Sequence, residues 1–181
     1  MPVDTRLTYD DFCLYPEDGK RREIINGELF VAPSPETIHQ RVVVRLTGRL
    51  GQFVESQKLG EVFVGLFDVV FSEFDVVEPD LIYISNARAN VLTDRNVQGA
   101  PDLVVEVLSE STARVDRSFK LKLYEKFGVP EYWIIDPEGP AAEIYRRGEE
   151  GLELVDNLSA TDALSSPLFP GFSLPLRRLT E

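Results

Sequence analysis

The segment from Asp102 to Leu108 constrains the fold of this chain more than any other, because its sequence is Asp-Leu-Val-Val-Glu-Val-Leu. A near-continuous apolar run of this length is typical of a β-strand that is buried on both faces. The exception in this strand is Glu106, since a buried carboxylate is costly unless it is paired or binds a metal ion. The strand context leaves two kinds of partner open: an arginine or backbone amides, or a metal ion.

Patterns on both sides of this strand predict one mixed sheet flanked by helices, of class α/β (α+β). Apolar residues recur at helical spacing from about Glu36 to Lys58, and a second helix is predicted from about Ala113 to Phe127. Asn26-Gly27 between apolar flanks favours a hairpin turn with positive φ at both residues. Runs of β-forming residues predict further strands or hairpins at 62–71, 79–85, 131–137, 142–146 and 152–155.

The remaining segments carry weaker patterns. Thr8 is a candidate N-cap for a short helix that Pro16 ends. Residues 86–99 form a polar excursion with a possible helical turn, and the proline-rich segment after Pro167 is expected to be extended or looped. We expect one domain over residues 1–181, because 43% hydrophobic content at this length can bury one substantial core.

Composition limits the chemistry and the compartment. A single cysteine, Cys13, excludes an internal disulfide framework and a cysteine-rich zinc site. No apolar stretch has the length of a signal peptide or of a membrane span. We therefore expect a soluble, cytoplasmic protein with no membrane partner.

The net charge of −12 is unfavourable for a nucleic-acid partner, because phosphate binding normally uses a surplus of lysine and arginine. The basic residues are nevertheless grouped. Arg41, Arg45 and Arg49 recur every four residues along the first long predicted helix. This arginine stripe is either a solvated helix face or a set of contacts to a DNA backbone.

Strand geometry selects a partner for Glu106 among the aspartates. Asp102 lies four positions before Glu106 on the same face of an extended strand, over ~13 Å away by strand rise. That separation is too great for both residues to bind one ion readily. Asp80 follows Pro79 at the start of a neighbouring predicted strand and is the better candidate, although an aspartate in this position is often structural.

These residues resemble the PD-(D/E)xK nuclease superfamily, in which a Pro-Asp pair, a glutamate on the next strand and a lysine share one site. The sequence closely resembles the Uma-type branch of putative restriction endonucleases, from Ile25 through Pro137. It departs from the superfamily pattern at Leu108, where the lysine is expected. The resemblance implies that the lysine has moved to the following helix, where Lys120 matches and Lys122 is the second choice.

The resemblance further implies a restriction-endonuclease-like domain that hydrolyses DNA with Mg²⁺ or Mn²⁺ held by Asp80 and Glu106. Lys120 is the third expected catalytic residue. A homodimer is expected, since cleavage of both strands needs two active sites. Two alternatives stay open: an inactive nuclease fold with a regulatory or assembly role, and a metal-dependent hydrolase acting on another substrate. The possible accessory residues are Glu28, His39, Asp116 and Tyr124, the last two as groups that orient Lys120.

Overall fold

A computed structural model describes residues 6–16 and 18–181 as a mixture of helices and strands. The helices are α1 (Tyr9–Phe12), α2 (Thr37–Gln57), α3 (Ala113–Val115), α4 (Leu121–Lys126) and α5 (Arg177–Thr180). The strands are β1 (Arg21–Ile25), β2 (Glu28–Ala32), β3 (Gly60–Val64), β4 (Val69–Ser72), β5 (Asp75–Val77), β6 (Leu81–Ser85), β7 (Val97–Gln98), β8 (Leu103–Val107), β9 (Glu131–Asp136), β10 (Ala141–Arg147), β11 (Leu152–Leu158), β12 (Ala163–Leu164) and β13 (Leu174–Pro175). A 3-10 helix (Asn86–Val91) and a π-helical turn (Asp116–Lys120) complete the regular elements.

The strands form two larger sheets rather than the single predicted sheet. The first has six strands in the order β11-β10-β9-β8-β6-β3, with β8 antiparallel to β6 and parallel to β9. The second has five strands in the order β2-β1-β5-β4-β7. Strands β12 and β13 form a third, two-stranded sheet. The predicted mixed class with flanking helices is confirmed, and β8 is buried along its whole length as its apolar run indicates.

Alternation along β6 and β8 separates two cores. Leu81 and Val105 belong to a cluster with the apolar face of α2. Ile82 and Val104 point to the opposite side, where they join a cluster with Tyr124 and residues of the five-stranded sheet. Asp80 and Glu106 share the parity of this second set. Two-residue periodicity therefore directs both carboxylates toward the five-stranded sheet and the α3–α4 helical segment.

The predicted strand at 62–71 is wrong as one element. The chain pairs β3 with β6 in the six-stranded sheet and then changes sheet, so that β4 pairs with β5 and β7. Leu66 between them adopts a positive φ of 60° and is exposed. Strand propensity describes a fit to a pleated surface and carries no information on which sheet supplies that surface.

Local predictions with a specific stereochemical cause are confirmed. Asn26 and Gly27 have φ of 53° and 79° in the turn between β1 and β2. Thr8 caps α1 by accepting from the amide of Asp11. The C-terminal segment differs from its prediction, since it forms β13 and α5 and buries Phe169 and Phe172 against the cluster that includes α2.

The helices within residues 6–16 and 18–181 include none that is both long enough and apolar enough to cross a lipid bilayer.

Candidate active site

The register of β6 and β8 brings Asp80 next to Glu106. Leu81 pairs with Val105, so one further step along the antiparallel ladder sets Asp80 opposite Glu106. The amide of Val107 donates to Asp80 Oδ2 at 2.7 Å, which fixes the aspartate at the end of the strand pair. Both carboxylates are buried. The two predicted metal ligands are therefore neighbours.

Asp102 lies at the opposite end of β8. Its Oδ2 accepts from the amide of Ser85 at 2.7 Å, and its Oδ1 lies 3.4 Å from Arg88 Nε. These contacts anchor the start of β8 to the end of β6. Asp102 therefore has structural partners and does not enter the cluster around Glu106.

The π-helical turn after α3 carries Lys120 to Glu106. The ammonium Nζ lies 2.8 Å from Glu106 Oε1, 2.9 Å from Glu23 Oε1 and 3.3 Å from Asp116 Oδ1. Lys120 is only 2% exposed. Burial acts to lower the pKa of Lys120, but Glu106 and Glu23 outweigh that effect and raise the pKa above its usual value. The surrounding carboxylates therefore favour the protonated form of Lys120.

Arg21, which sequence reasoning missed, bridges the two predicted metal ligands. Its Nη1 donates to Asp80 Oδ1 at 2.7 Å, and its Nη2 donates to Glu106 Oε2 at 3.0 Å. Nη2 also lies 3.3 Å from Glu23 Oε1. Burial acts to lower the pKa of Arg21, but the surrounding carboxylates, Glu23 foremost, raise it well above its usual value. One planar guanidinium therefore spans the gap between Asp80 and Glu106.

In each of the two carboxylates that Arg21 bridges, the other oxygen contacts different residues. Asp80 Oδ2 lies 3.1 Å from His39 Nε2, which carries a proton in this contact because an ionised carboxylate can only accept. Glu106 Oε1 accepts from Lys120 and from the hydroxyl of Tyr124, the latter at 3.0 Å. The other oxygens, Asp80 Oδ1 and Glu106 Oε2, both point at Arg21. The two remaining carboxylate oxygens are thus presented to the two terminal nitrogens of one guanidinium.

Three of the four predicted accessory residues lie in the cluster, and the fourth, Glu28, lies outside it. His39 contacts Asp80, and Asp116 contacts Lys120. Tyr124 donates to Glu106 Oε1, the oxygen that Lys120 also contacts, and its role in orienting Lys120 stays a prediction. Glu28 is exposed at the hairpin turn, and within the described residues no contact joins it to this cluster.

Glu23 is the carboxylate that the first hairpin contributes in place of Glu28. It lies two residues after Arg21 on β1, and strand periodicity points both side chains to the same face as Ile25. Burial acts to raise the pKa of Glu23, but Lys120 and Arg21 lower it below its usual value. A charged pair at alternate positions before an Asn-Gly turn was the signal that could have identified both residues.

The carboxylates in this cluster outnumber the arginine and lysine side chains that they contact. The carboxylates in contact with Arg21 or Lys120 are those of Asp80, Glu106, Glu23 and Asp116. Burial acts to raise the pKa of Asp80, but the hydrogen bond from His39 and the charge of Arg21 lower it to about 2. Burial raises the pKa of Glu106 to about 7 despite the opposing charges of Lys120 and Arg21. The four carboxylates are thus shared between two cations, and burial favours the protonated form of Glu106.

A small hard cation at this site would have two protein ligands. Asp80 Oδ1 and Glu106 Oε2 already converge on one positive group, the guanidinium of Arg21. Among residues 6–16 and 18–181, no three acidic, histidine or cysteine side chains form a ready-made metal cage. Mg²⁺ keeps several water ligands and uses one or two carboxylates, so two ligands suffice for it. Asp80 and Glu106 are the residues that would hold it.

The three arginines of the predicted DNA-contacting stripe on α2 differ in exposure. Arg41 and Arg49 are exposed, whereas Arg45 is partly buried and donates from Nη1 to the carbonyl of Leu179 at 3.2 Å. Arg49 and Arg178 line a groove between α2 and the C-terminal segment. The second-choice lysine, Lys122, is exposed and lines a different groove, away from Glu106.

Comparisons with known proteins agree with this fold. Residues 8–177 match the family model Uma2, described as "Putative restriction endonuclease". An uncharacterized protein of Synechocystis sp. is 23% identical over 164 residues, covering 88% of this chain and 84% of that protein. A crystal structure described as a putative nuclease belonging to DUF820, from Anabaena variabilis, has a TM-score of 0.80 at 20% identity, over 96% of this chain and 97% of that one. At that identity the likeness shows the fold, and it confirms the predicted nuclease-like class.

Proposed function

This chain belongs to the Uma2 family, whose description is "Putative restriction endonuclease", and from that membership we propose a metal-dependent endonuclease that hydrolyses phosphodiester bonds in DNA. Asp80 and Glu106 would hold the metal ion, and Lys120 would supply a fixed positive charge beside them. The observation that carries the proposal is that Asp80 Oδ1 and Glu106 Oε2, on neighbouring strands, both face one positive group, the guanidinium of Arg21.

The chain's own residues would set the geometry of the reaction. His39 and the amide of Val107 hold Asp80 Oδ2 in place, while Lys120 and Tyr124 hold Glu106 Oε1. These four contacts orient the remaining oxygens before any ligand arrives. An Mg²⁺ or Mn²⁺ ion bound there would activate water and neutralise charge that develops on the scissile phosphate.

Lys120 keeps its proton throughout this scheme. Its ammonium lies behind Glu106, in contact with three carboxylates, so it neither accepts a proton from water nor leaves its place. Its contribution is electrostatic, because a positive charge in a buried site acts through a lower effective dielectric than in water. We assign Lys120 to orienting Glu106 and to favouring the anionic transition state.

Plasmid cleavage tests the proposal directly. The purified full chain is expected to nick or linearise supercoiled DNA with Mn²⁺ or Mg²⁺, and EDTA is expected to stop it, because the carboxylates need the ion to engage phosphate. The readout is the loss of supercoiled plasmid on an agarose gel. Cleavage that continues in EDTA, or its absence with both ions across a wide range of DNA substrates, would contradict the proposal.

A non-catalytic nuclease fold is the rival that one observation favours. The guanidinium of Arg21 pairs with Asp80 and Glu106 so well that the cluster can exist without a metal. The net charge of −12 is also unfavourable for DNA binding. Absence of both Mn²⁺ binding and cleavage would favour this rival. Mn²⁺ binding without cleavage of DNA or RNA would point to a hydrolase with another substrate.

DNA binding would involve the exposed arginines of α2, and a homodimer would present two sites to the two strands. Arg41→Gln with Arg49→Gln is expected to lower the slope of log K against log salt by about one for each phosphate that the protein no longer neutralises. Fluorescence anisotropy with labelled duplex DNA in Ca²⁺ measures this slope.

The matched control for these arginines is Lys58→Gln, which removes an exposed charge at the C-terminal end of the same helix. It is expected to leave the slope unchanged. Equal slopes for the double variant and the unmodified chain would remove Arg41 and Arg49 from the interface.

A further inference from the structure

Arg21 occupies the position between Asp80 and Glu106 that a metal ion would take. Its Nη1 and Nη2 donate to Asp80 Oδ1 and Glu106 Oε2, the carboxylate oxygens that do not contact His39, Lys120 or Tyr124. The guanidinium and a divalent ion therefore have the same ligands, Asp80 Oδ1 and Glu106 Oε2. Both cannot occupy that position at once.

Arg21 is the more exposed of the two cations in the cluster. Its side chain is 20% exposed, against 3% for Lys120, so it lies at the mouth of the site. Its Nε has no hydrogen-bond partner among residues 6–16 and 18–181. It stands at the first residue of β1, where the strand begins after a turn. Lys120 and Arg21 each contact three carboxylates, so exposure is what distinguishes the two cations.

We propose that Arg21 is an internal cation that seals the metal position, so that a divalent ion binds only after displacing its guanidinium from Asp80 and Glu106. This inference rests on the proposed metal site and adds the residue that sets its affinity. In the metal-free protein Arg21 keeps two buried carboxylates from facing each other unpaired, which preserves their geometry. The same contact lowers the apparent metal affinity, which equals the intrinsic affinity multiplied by the fraction of molecules in which the contact is open.

The test is titration of the full chain with MnCl₂ in a calorimeter after dialysis against EDTA and then metal-free buffer. Arg21→Gln is expected to bind Mn²⁺ about tenfold or more tightly than the unmodified chain, since the competing guanidinium is gone. Arg21→Lys keeps the charge but has a single ammonium in place of a fork, so it too is expected to bind Mn²⁺ more tightly. Arg22→Gln removes a charge next in sequence that pairs with Asp18, and is expected to leave the affinity unchanged.

Thermal melting gives a second readout that does not depend on catalysis. In EDTA, Arg21→Gln is expected to melt below the unmodified chain, and Mn²⁺ is expected to raise its melting temperature by a larger amount. A structural role alone would give a loss that Mn²⁺ does not restore. If Arg21→Gln does not fold, Arg21→Lys carries the same test.

Several results would overturn the inference. One is an unmodified chain that binds Mn²⁺ and cleaves DNA while Arg21→Gln and Arg21→Lys bind the ion no more tightly; the proposed function then stands. Another is an Arg22→Gln gain equal to that of Arg21→Gln with no gain for Arg21→Lys, which would assign the effect to net charge. If no variant binds Mn²⁺, the metal site and this inference fail together.

Discussion

Replacing Glu106 with glutamine is expected to reduce metal-dependent DNA cleavage by about a thousandfold or more. The change removes a charged ligand oxygen at the position shared with Asp80. Loss of several kcal/mol of transition-state charge stabilisation corresponds to roughly this factor, because each 1.4 kcal/mol is tenfold in rate. Initial cleavage rates over a range of Mn²⁺ concentrations measure it, and Mn²⁺ affinity by calorimetry should fall in parallel.

Glu131→Gln is the matched control for this change. Glu131 is equally buried on the adjacent strand β9, where it accepts from Trp133 Nε1 at 2.6 Å and from Ser166 and Arg146. Its replacement is expected to lower stability without affecting the cleavage rate of the folded protein. If Glu131→Gln and Glu106→Gln reduce cleavage equally at matched folded fraction, Glu106 has no special role in the reaction.

Replacing Lys120 with methionine is expected to cost about 3–5 kcal/mol of unfolding free energy, the cost typical of breaking a buried ion pair by removing one partner. Glu23, Glu106 and Asp116 would then face one another without the ammonium that now contacts all three. Total stabilities of single domains are about 5–15 kcal/mol, so a large share would disappear. Urea unfolding followed by circular dichroism measures the difference.

Two further variants separate charge from packing. Lys122→Met on the exposed side of the same helix is expected to change the unfolding free energy by no more than about 0.5 kcal/mol. Asp116→Asn in the Lys120→Met background is expected to recover part of the loss, since the two groups are directly coupled. If Lys120→Met and Lys122→Met unfold at the same urea concentration, Lys120 is not part of a buried charge cluster.

Much of the fold followed from local rules. The Asn26-Gly27 turn, the Thr8 cap and the helical period of α2 each have a cause within a few residues, and each is confirmed. The division of the 62–71 run between two sheets had no such cause. A strand can pair with any edge that offers hydrogen bonds, and only the packing of the two sheets selects one.

The site shows the same division. The apolar context of Glu106 required a partner, and strand rise separated it from Asp102. The alternation of β1 placed Arg21 and Glu23 on one face, yet nothing local indicated that this face would meet β6 and β8. Arg21 and Glu23 lie far from Asp80 along the chain. Contacts between β1 and the site therefore depend on how the two sheets stack.

The sequence by itself determined that a buried strand would carry a carboxylate in need of a positive partner, because periodicity and the cost of burying charge are local properties. The tertiary structure decided which cations those are. Lys120 reaches Glu106 through a π-helical turn, and Arg21 arrives from the other sheet to bridge Glu106 and Asp80. Charge pairing between distant residues is settled by packing of whole elements, which no single segment encodes.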